Sequence, residues 1–141
     1  MIVMSVDLGN VRTGIAVSDP SERFAFPRRV IEERNRERLI EKILAEAKEA
    51  SAEKIVVGLP KNMDGSLGFK AQECTETADR LRELFPGEVV MWDERCTTVS
   101  AHIALNATDT RGKKRKAVVD AVAATMILED YLRYEQREKE Q

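Results

Sequence analysis

Three places in the chain put a carboxylate where an apolar element makes it expensive. Asp7 closes the run IVMSVDL at 2–8, and Asp93 and Glu94 end the run that starts at Glu88. Asp120 interrupts a helix-forming stretch whose neighbours are Val118, Val119, Ala121, Val122, Ala123 and Ala124. A carboxylate taken out of water needs a partner, a proton or a metal. If Asp7, Glu94 and Asp120 converge, their mutual repulsion makes a divalent cation the natural answer. An all-oxygen donor set selects Mg²⁺ or Mn²⁺ over zinc. Two such ions about 4 Å apart would clamp the attacking and leaving oxygens of a phosphodiester displacement. Taken singly, each acid also has an ordinary reading. Asp7 and Asp93 would open turns, and Asp120 would pair with Lys116 one helical turn earlier.

Four further clusters suit a polyanion. DLGNVRTG at 7–14 sets two glycines, which permit a tight turn and close approach of a phosphate, beside Arg12 and Thr13. Arg12 can fork onto a phosphate in a way lysine cannot. GLPKNMDG at 58–65 brings Lys61 to the end of a short apolar run, the edge at which α/β proteins bind ligands. Arg95, Thr97 and Thr98 follow directly on the second acidic position. Arg111, Lys113, Lys114, Arg115 and Lys116 are five cations in six positions, a tether for phosphates or, in the plainer reading, a solvated loop. His102, the one histidine, is too isolated for general-base work, and Cys96 lacks a neighbouring histidine to make it a nucleophile. Trp92 reads as a packing residue. The four Phe and two Tyr are not interleaved in the manner of a base-stacking platform.

The elements that must position these groups follow from periodicity. Residues 2–8 and 14–19 read as a hairpin across Gly9 and Asn10, and 24–31 as a third strand pushed to a sheet edge by Pro27. Leu39, Ile40, Ile43, Leu44 and Ala47 share one side of a helix over 35–50. KIVVGL at 54–59 suits a strand buried on both faces. A loop through Asn62–Ser66, a helix over 69–84, a strand over 88–93 and a short helix over 98–107 follow. Residues 108–116 read as a basic loop, 117–132 as a deeply packed helix, and the charged residues after Arg133 as a frayed tail. The division is one domain, 1–134, with a charged tail at 135–141.

Composition bounds the rest. A chain of 141 residues with 43% apolar and 34% charged residues is globular and large enough for a core without staples. Cys74 and Cys96 form no CxxC pair, which fits a reducing cytoplasm rather than a disulfide scaffold. Asp7 and Arg12 fall inside the first dozen residues, so the start reads as neither secretory signal nor membrane span, and no membrane partner is expected. A net charge of −2 excludes a uniformly basic coat but leaves room for a local basic patch.

DLGNVRTGIAVSD at 7–19, GLPKNMDG at 58–65, DERCTT at 93–98 and KAVVDAVAATMIL at 116–128 resemble, in the same order, the motifs of the YqgF/RuvX family. Members are described as nucleases of pre-16S rRNA or as Holliday junction resolvases. The resemblance spans residues 2 to 130. It implies an α/β, RNase H-like (RuvC-like) fold, a five-stranded mixed sheet ordered 3-2-1-4-5 with helices on both faces. It also implies that Asp7, one acid of the Asp93–Glu94 pair, and Asp120 hold Mg²⁺ or Mn²⁺. Strand alternation puts Trp92 and Glu94 on one face and Met91 and Asp93 on the other, and the longer arm of Glu94 favours it as the ligand.

The function this implies is metal-dependent phosphodiester hydrolysis, with nucleic acid as partner. The 5′ end of a 16S rRNA precursor is the favoured substrate, because so short a chain carries no second domain for junction recognition. The same chemistry on branched DNA, a Holliday junction resolvase, would require a symmetric homodimer. A non-catalytic RNA-binding assembly factor is the alternative of a different class, and the intact acid set speaks against it. A sugar-kinase-like ATPase would use the DxGxxxxG turn as a phosphate loop, but it needs two such domains.

Overall fold

β-branched runs and amphipathic stretches alternate to give β1 (Val3–Asp7), β2 (Arg12–Ser18), β3 (Ala25–Glu32), α1 (Arg36–Ala50), β4 (Lys54–Leu59), α2 (Phe69–Leu84), β5 (Glu88–Asp93) and α3 (Gly112–Glu140). The structure is a computed structural model. It describes residues 1–60, 68–94 and 112–140, apart from the side chains of 112–121, 139 and 140. The sheet order is β3-β2-β1-β4-β5. β1–β2 and β2–β3 pair antiparallel, whereas β1–β4 and β4–β5 pair parallel. This is the mixed sheet and strand order expected from the sequence. Pro27 does sit on an edge strand, and the β2–β3 register slips beside it, from Ile15↔Arg29 to Ala16↔Pro27. A residue with no N–H to give the ladder is accommodated by such a bulge.

Side-chain alternation gives the sheet two apolar faces. Met4, Val6, Ile15, Ile55, Val57 and Val89 pack against Leu39, Ile40 and Ile43 of α1 and Ala78 and Leu81 of α2. Val3, Ala16 and Val56 pack on the other side against Ala124, Ile127, Leu128, Tyr131 and Leu132 of α3. Each fully buried aliphatic side chain contributes about 1.5–3 kcal/mol. Polar fittings fix the helices in place. Asn35 caps α1 by accepting from the Arg38 N–H (3.0 Å). Glu46, buried on α1, is clasped by Arg28 (2.7 Å) and Arg29 (3.1 Å) of β3. The buried hydroxyl of Ser5 donates to the Ala124 carbonyl (2.7 Å) and sets α3 over β1.

The last helix departs from expectation at both ends. It begins at Gly112, so Lys113, Lys114, Arg115 and Lys116 have helical backbone and do not form a loop. It also continues to Glu140, through the stretch expected to fray. Lys, Arg and Glu are good helix formers, so their charge alone does not end a helix. The extension is tied down as well. Glu135 pairs with Lys54 (2.7 Å), and the Gln136 amide donates to the Glu22 carbonyl (3.1 Å). The expected loop at 62–66 and helix at 98–107 lie outside the described residues.

Candidate active site

The parallel strands β1, β4 and β5 finish at one edge of the sheet, and each brings a residue to the same face there. On β1, Val3 and Ser5 face α3, so Asp7 does too. On β4 that face carries Val56 and then Gly58. On β5 it carries Val90, Trp92 and, just past the strand, Glu94. Gly58 lies opposite Trp92, one step beyond the Val6↔Val57 pair that aligns β1 with β4. A methyl group placed on Gly58 would stand 2.8 Å from Ile127 Cδ1, 3.1 Å from Glu94 Cδ and 3.2 Å from Glu94 Cγ. The Glu94 side chain therefore lies over the bare backbone of β4 at Gly58.

The turn after Asp7 is equally tight. A methyl at Gly9 would meet the Arg12 carbonyl oxygen at 2.0 Å, so only glycine closes this turn without a shift. The Gly9 N–H points to the Thr13 hydroxyl (3.4 Å). Lys70, in the first turn of α2, reaches across to donate from Nζ to the Asn10 side-chain carbonyl (3.3 Å).

Electrostatics at this edge favour a bound cation. Burial raises the Glu94 carboxyl pKa, and Asp93 raises it further, while Lys70 works against both. Cys74 of α2 is buried, and its thiol is pushed up to about 11. Burial is the main cause; Lys70 opposes it, and the carboxylates of Glu94, Asp7 and Glu73 add to it. One thiol thus senses both Asp7 and Glu94, and at neutral pH it stays protonated and inert. Two hard oxygen donors from separate elements, one of them penalised by burial when ionised, fit a divalent cation. Among the described residues no three His, Cys, Asp or Glu side chains are grouped so that they could hold a metal ion, and the third expected donor, Asp120, has its side chain outside them. Its backbone lies in α3, one turn before the Ala124 carbonyl that receives Ser5.

The expected polyanion contacts divide. Arg12, the first residue of β2, has its Nε on Glu32 (3.3 Å). Thr13 is fully buried, which corrects its reading as a substrate contact. Its hydroxyl receives the turn instead, because β2 begins two residues earlier than expected and carries Thr13 inside. Lys61, Arg95, Thr97, Thr98 and Arg111 lie outside the described residues, as do Cys96 and His102. The same holds for the side chains of Lys113 to Lys116. Trp92 packs against Tyr131 (5.8 Å, edge-on) and Tyr134 (5.5 Å) of α3. Sequence reasoning missed Lys70 and missed the spacer role of Gly58. A glycine inside a β-branched run was the available signal for the second, since it marks close approach of another group.

Comparison with known proteins agrees with this architecture. Residues 1–134 match the family model described as "RuvX: Holliday junction resolvase". A Clostridium tetani protein provisionally named as a pre-16S rRNA nuclease is 41% identical over 132 residues, 94% of this chain and 96% of its own. A Halothermothrix orenii protein with the same name is 40% identical over 137 residues, 97% and 98% of the two chains. Among solved structures, T. thermophilus RuvC in complex with a Holliday junction substrate superposes with a TM-score of 0.60 at 15% identity, covering 96% of each chain. Fowlpox virus resolvase, solved with Holliday junction DNA, gives 0.54 at 11% identity, over 95% of this chain and 98% of its own. At those identities the structures speak for the RuvC-like fold alone. The sequence matches carry the family: this chain belongs to the RuvX family of nucleases.

Proposed function

We propose that the protein is a Mg²⁺- or Mn²⁺-dependent nuclease that processes the 5′ end of pre-16S rRNA in the cytoplasm. The main support is the arrangement of Asp7 and Glu94 on one sheet face with Gly58 left bare between their strands. The names of the relatives at about 40% identity support RNA as the substrate. Among the described residues no helix is long and apolar enough to cross a membrane.

Asp7, Glu94 and Asp120 would hold the metal. A divalent ion held there would supply positive charge near the scissile phosphate and would make a water molecule more acidic. The chain's own residues do the positioning. Gly58 leaves room for the Glu94 side chain over β4, and the Gly9–Thr13 turn fixes where Asp7 ends. Arg12, with Lys61, Arg95, Thr97 and Thr98, would orient phosphates around the acids. The cations at Arg111, Lys113, Lys114, Arg115 and Lys116 would hold the strand further out, with a binding constant that falls as salt rises.

A second reading has its own support. The family model is described as a Holliday junction resolvase, and cutting a four-way junction would require two copies of this chain related by symmetry. The test sets two labelled substrates against each other, an RNA with the 16S precursor leader and a four-way DNA junction. Each is incubated with wild type and Asp7→Asn under Mg²⁺, Mn²⁺ or EDTA. Metal-dependent cutting of the RNA, lost in the variant, is the expected result. Paired symmetric nicks in the junction would replace it with the resolvase. Binding without cutting under any metal would sink both in favour of an assembly factor.

A further inference from the structure

Beside the acids, on the side of the sheet away from α3, a cleft of about 110 Å³ opens between the turn after β1, the link from β3 to α1, and the start of α2. Asn10 lines it from the turn, Glu33 and Arg34 from the link, Arg36 from the start of α1, and Lys70 and Glu73 from α2. Arg36 is engaged by Glu76 (2.8 Å). Lys70 is different, since its described hydrogen bond goes to a neutral amide, Asn10 Oδ1, at 3.3 Å. An ammonium has three donors. A lysine kept only as a counter-ion for the acids would be drawn onto a carboxylate, whereas this one is steered by an amide to the rim of the cleft. It nevertheless stays close enough to be the strongest influence opposing burial on both Glu94 and Cys74. Its charge therefore spans the boundary between acids and cleft, and Arg34 adds a second cation further along the same wall.

We propose that Lys70 binds the nucleic-acid phosphate next to the one cut, and that the substrate strand leaves the acids across this cleft with Arg34 beneath it. The proposal rests on the nuclease reading and adds the strand's direction to it. A phosphate contact of this kind is made equally before and during the chemical step, so its loss raises KM and leaves kcat within about twofold.

The test uses the full chain carrying Asp7→Asn in EDTA, with a labelled single-stranded leader RNA followed by anisotropy across a KCl series. Adding Lys70→Gln, which keeps a donor for Asn10 but removes the charge, weakens binding by about 3–10-fold at low salt and flattens the salt slope by about 0.7. Lys70→Arg restores both. A slope unchanged by Lys70→Gln, or a Lys70→Arg variant as weak as the glutamine, overturns the proposal. Thermal melts alongside show whether either variant is folded. With Asp7 intact, cleavage assays separate the two ideas. Wild type that cuts while the slope stays put loses only the phosphate contact. Wild type that never cuts while the slope flattens keeps the contact and loses the nuclease.

Discussion

The two ends of the sheet treat charge in opposite ways. At the end where β4 begins, Lys54 donates to Tyr131 (2.9 Å) and Glu135 (2.7 Å), and Tyr131 also donates to Glu135. Burial pushes the Tyr131 hydroxyl to about 12, and the two partners hold the Lys54 ammonium charged despite its own burial. At the same end, Asp19 closes the β2–β3 turn by accepting from the N–H groups of Arg23 (2.8 Å) and Phe24 (2.8 Å). Where β4 finishes, burial and Asp93 instead drive the Glu94 carboxyl upward. One end carries its own counter-charges and is complete. The other concentrates acids, and it is there that we propose a divalent cation binds. On the proposed function, the first cluster is structural and the second reactive.

Substitutions at the acid end should cost function more than stability. Asp7→Asn is expected to lower cleavage by about 10²–10³-fold, the rate equivalent of several kcal/mol of transition-state charge stabilisation. Its Tm should stay level or rise, because an acid leaves a crowded edge. A gel-based cleavage assay paired with a thermal melt reads both. A large Tm loss would mean that Asp7 is structural and the two ends are alike. Gly58→Ala sharpens the comparison without touching a charge. The new methyl must displace Ile127 Cδ1 at 2.8 Å and crowd Glu94. A misplaced carboxylate should then cost about 10-fold in kcat, since displacements of about an ångström cost up to 10²-fold. Wild-type turnover in a folded Gly58→Ala protein would show that Glu94 need not lie over β4.

Lys54→Met reverses the expectation. It removes the Lys54 hydrogen bonds to Glu135 and Tyr131 and should destabilise the chain by about 2 kcal/mol, within the usual range for a hydrogen bond to a charged group. Urea unfolding measures this, and cleavage per folded molecule should be unaltered. A fall in kcat to match would show that the far end of β4 is coupled to the acids.

Most of this contrast was legible in the sequence at the level of elements but not of partners. The strand order follows from the family resemblance, and the two-faced burial of β4 from its unbroken apolar run. Thr13 was misread because a hydroxyl beside an arginine in a turn looks available. Only the register that starts β2 at Arg12 carries it inside. The end of α3 was misread because charge suggests fraying, and nothing local announces that Glu135 meets Lys54, 81 residues away in the chain. Lys70 escaped for the same reason. Its neighbours Asn10 and Glu94 come from β1's turn and the end of β5, and a sequence does not display contacts made through the sheet.

The smallest effect belongs to Asp19, whose turn lies at the complete end. Hydrogen bonds from the Ser21 hydroxyl first, and then from the backbone of Phe24, Arg23 and Ser21, hold its carboxyl pKa down from 3.8 to about 2. The folded value is below the unfolded one, so the turn's contribution is fully present above about 3.8 and fades as pH falls toward 2. Asp19→Ala should therefore lower Tm modestly at pH 6, and the gap to wild type should close progressively below pH 4. A gap that persists to pH 2 would mean that the side chain acts by shape, not charge. A wild-type cleavage rate in Asp19→Ala at neutral pH completes the comparison, because a turn that satisfies its own acid has nothing to pass to the other end of the sheet.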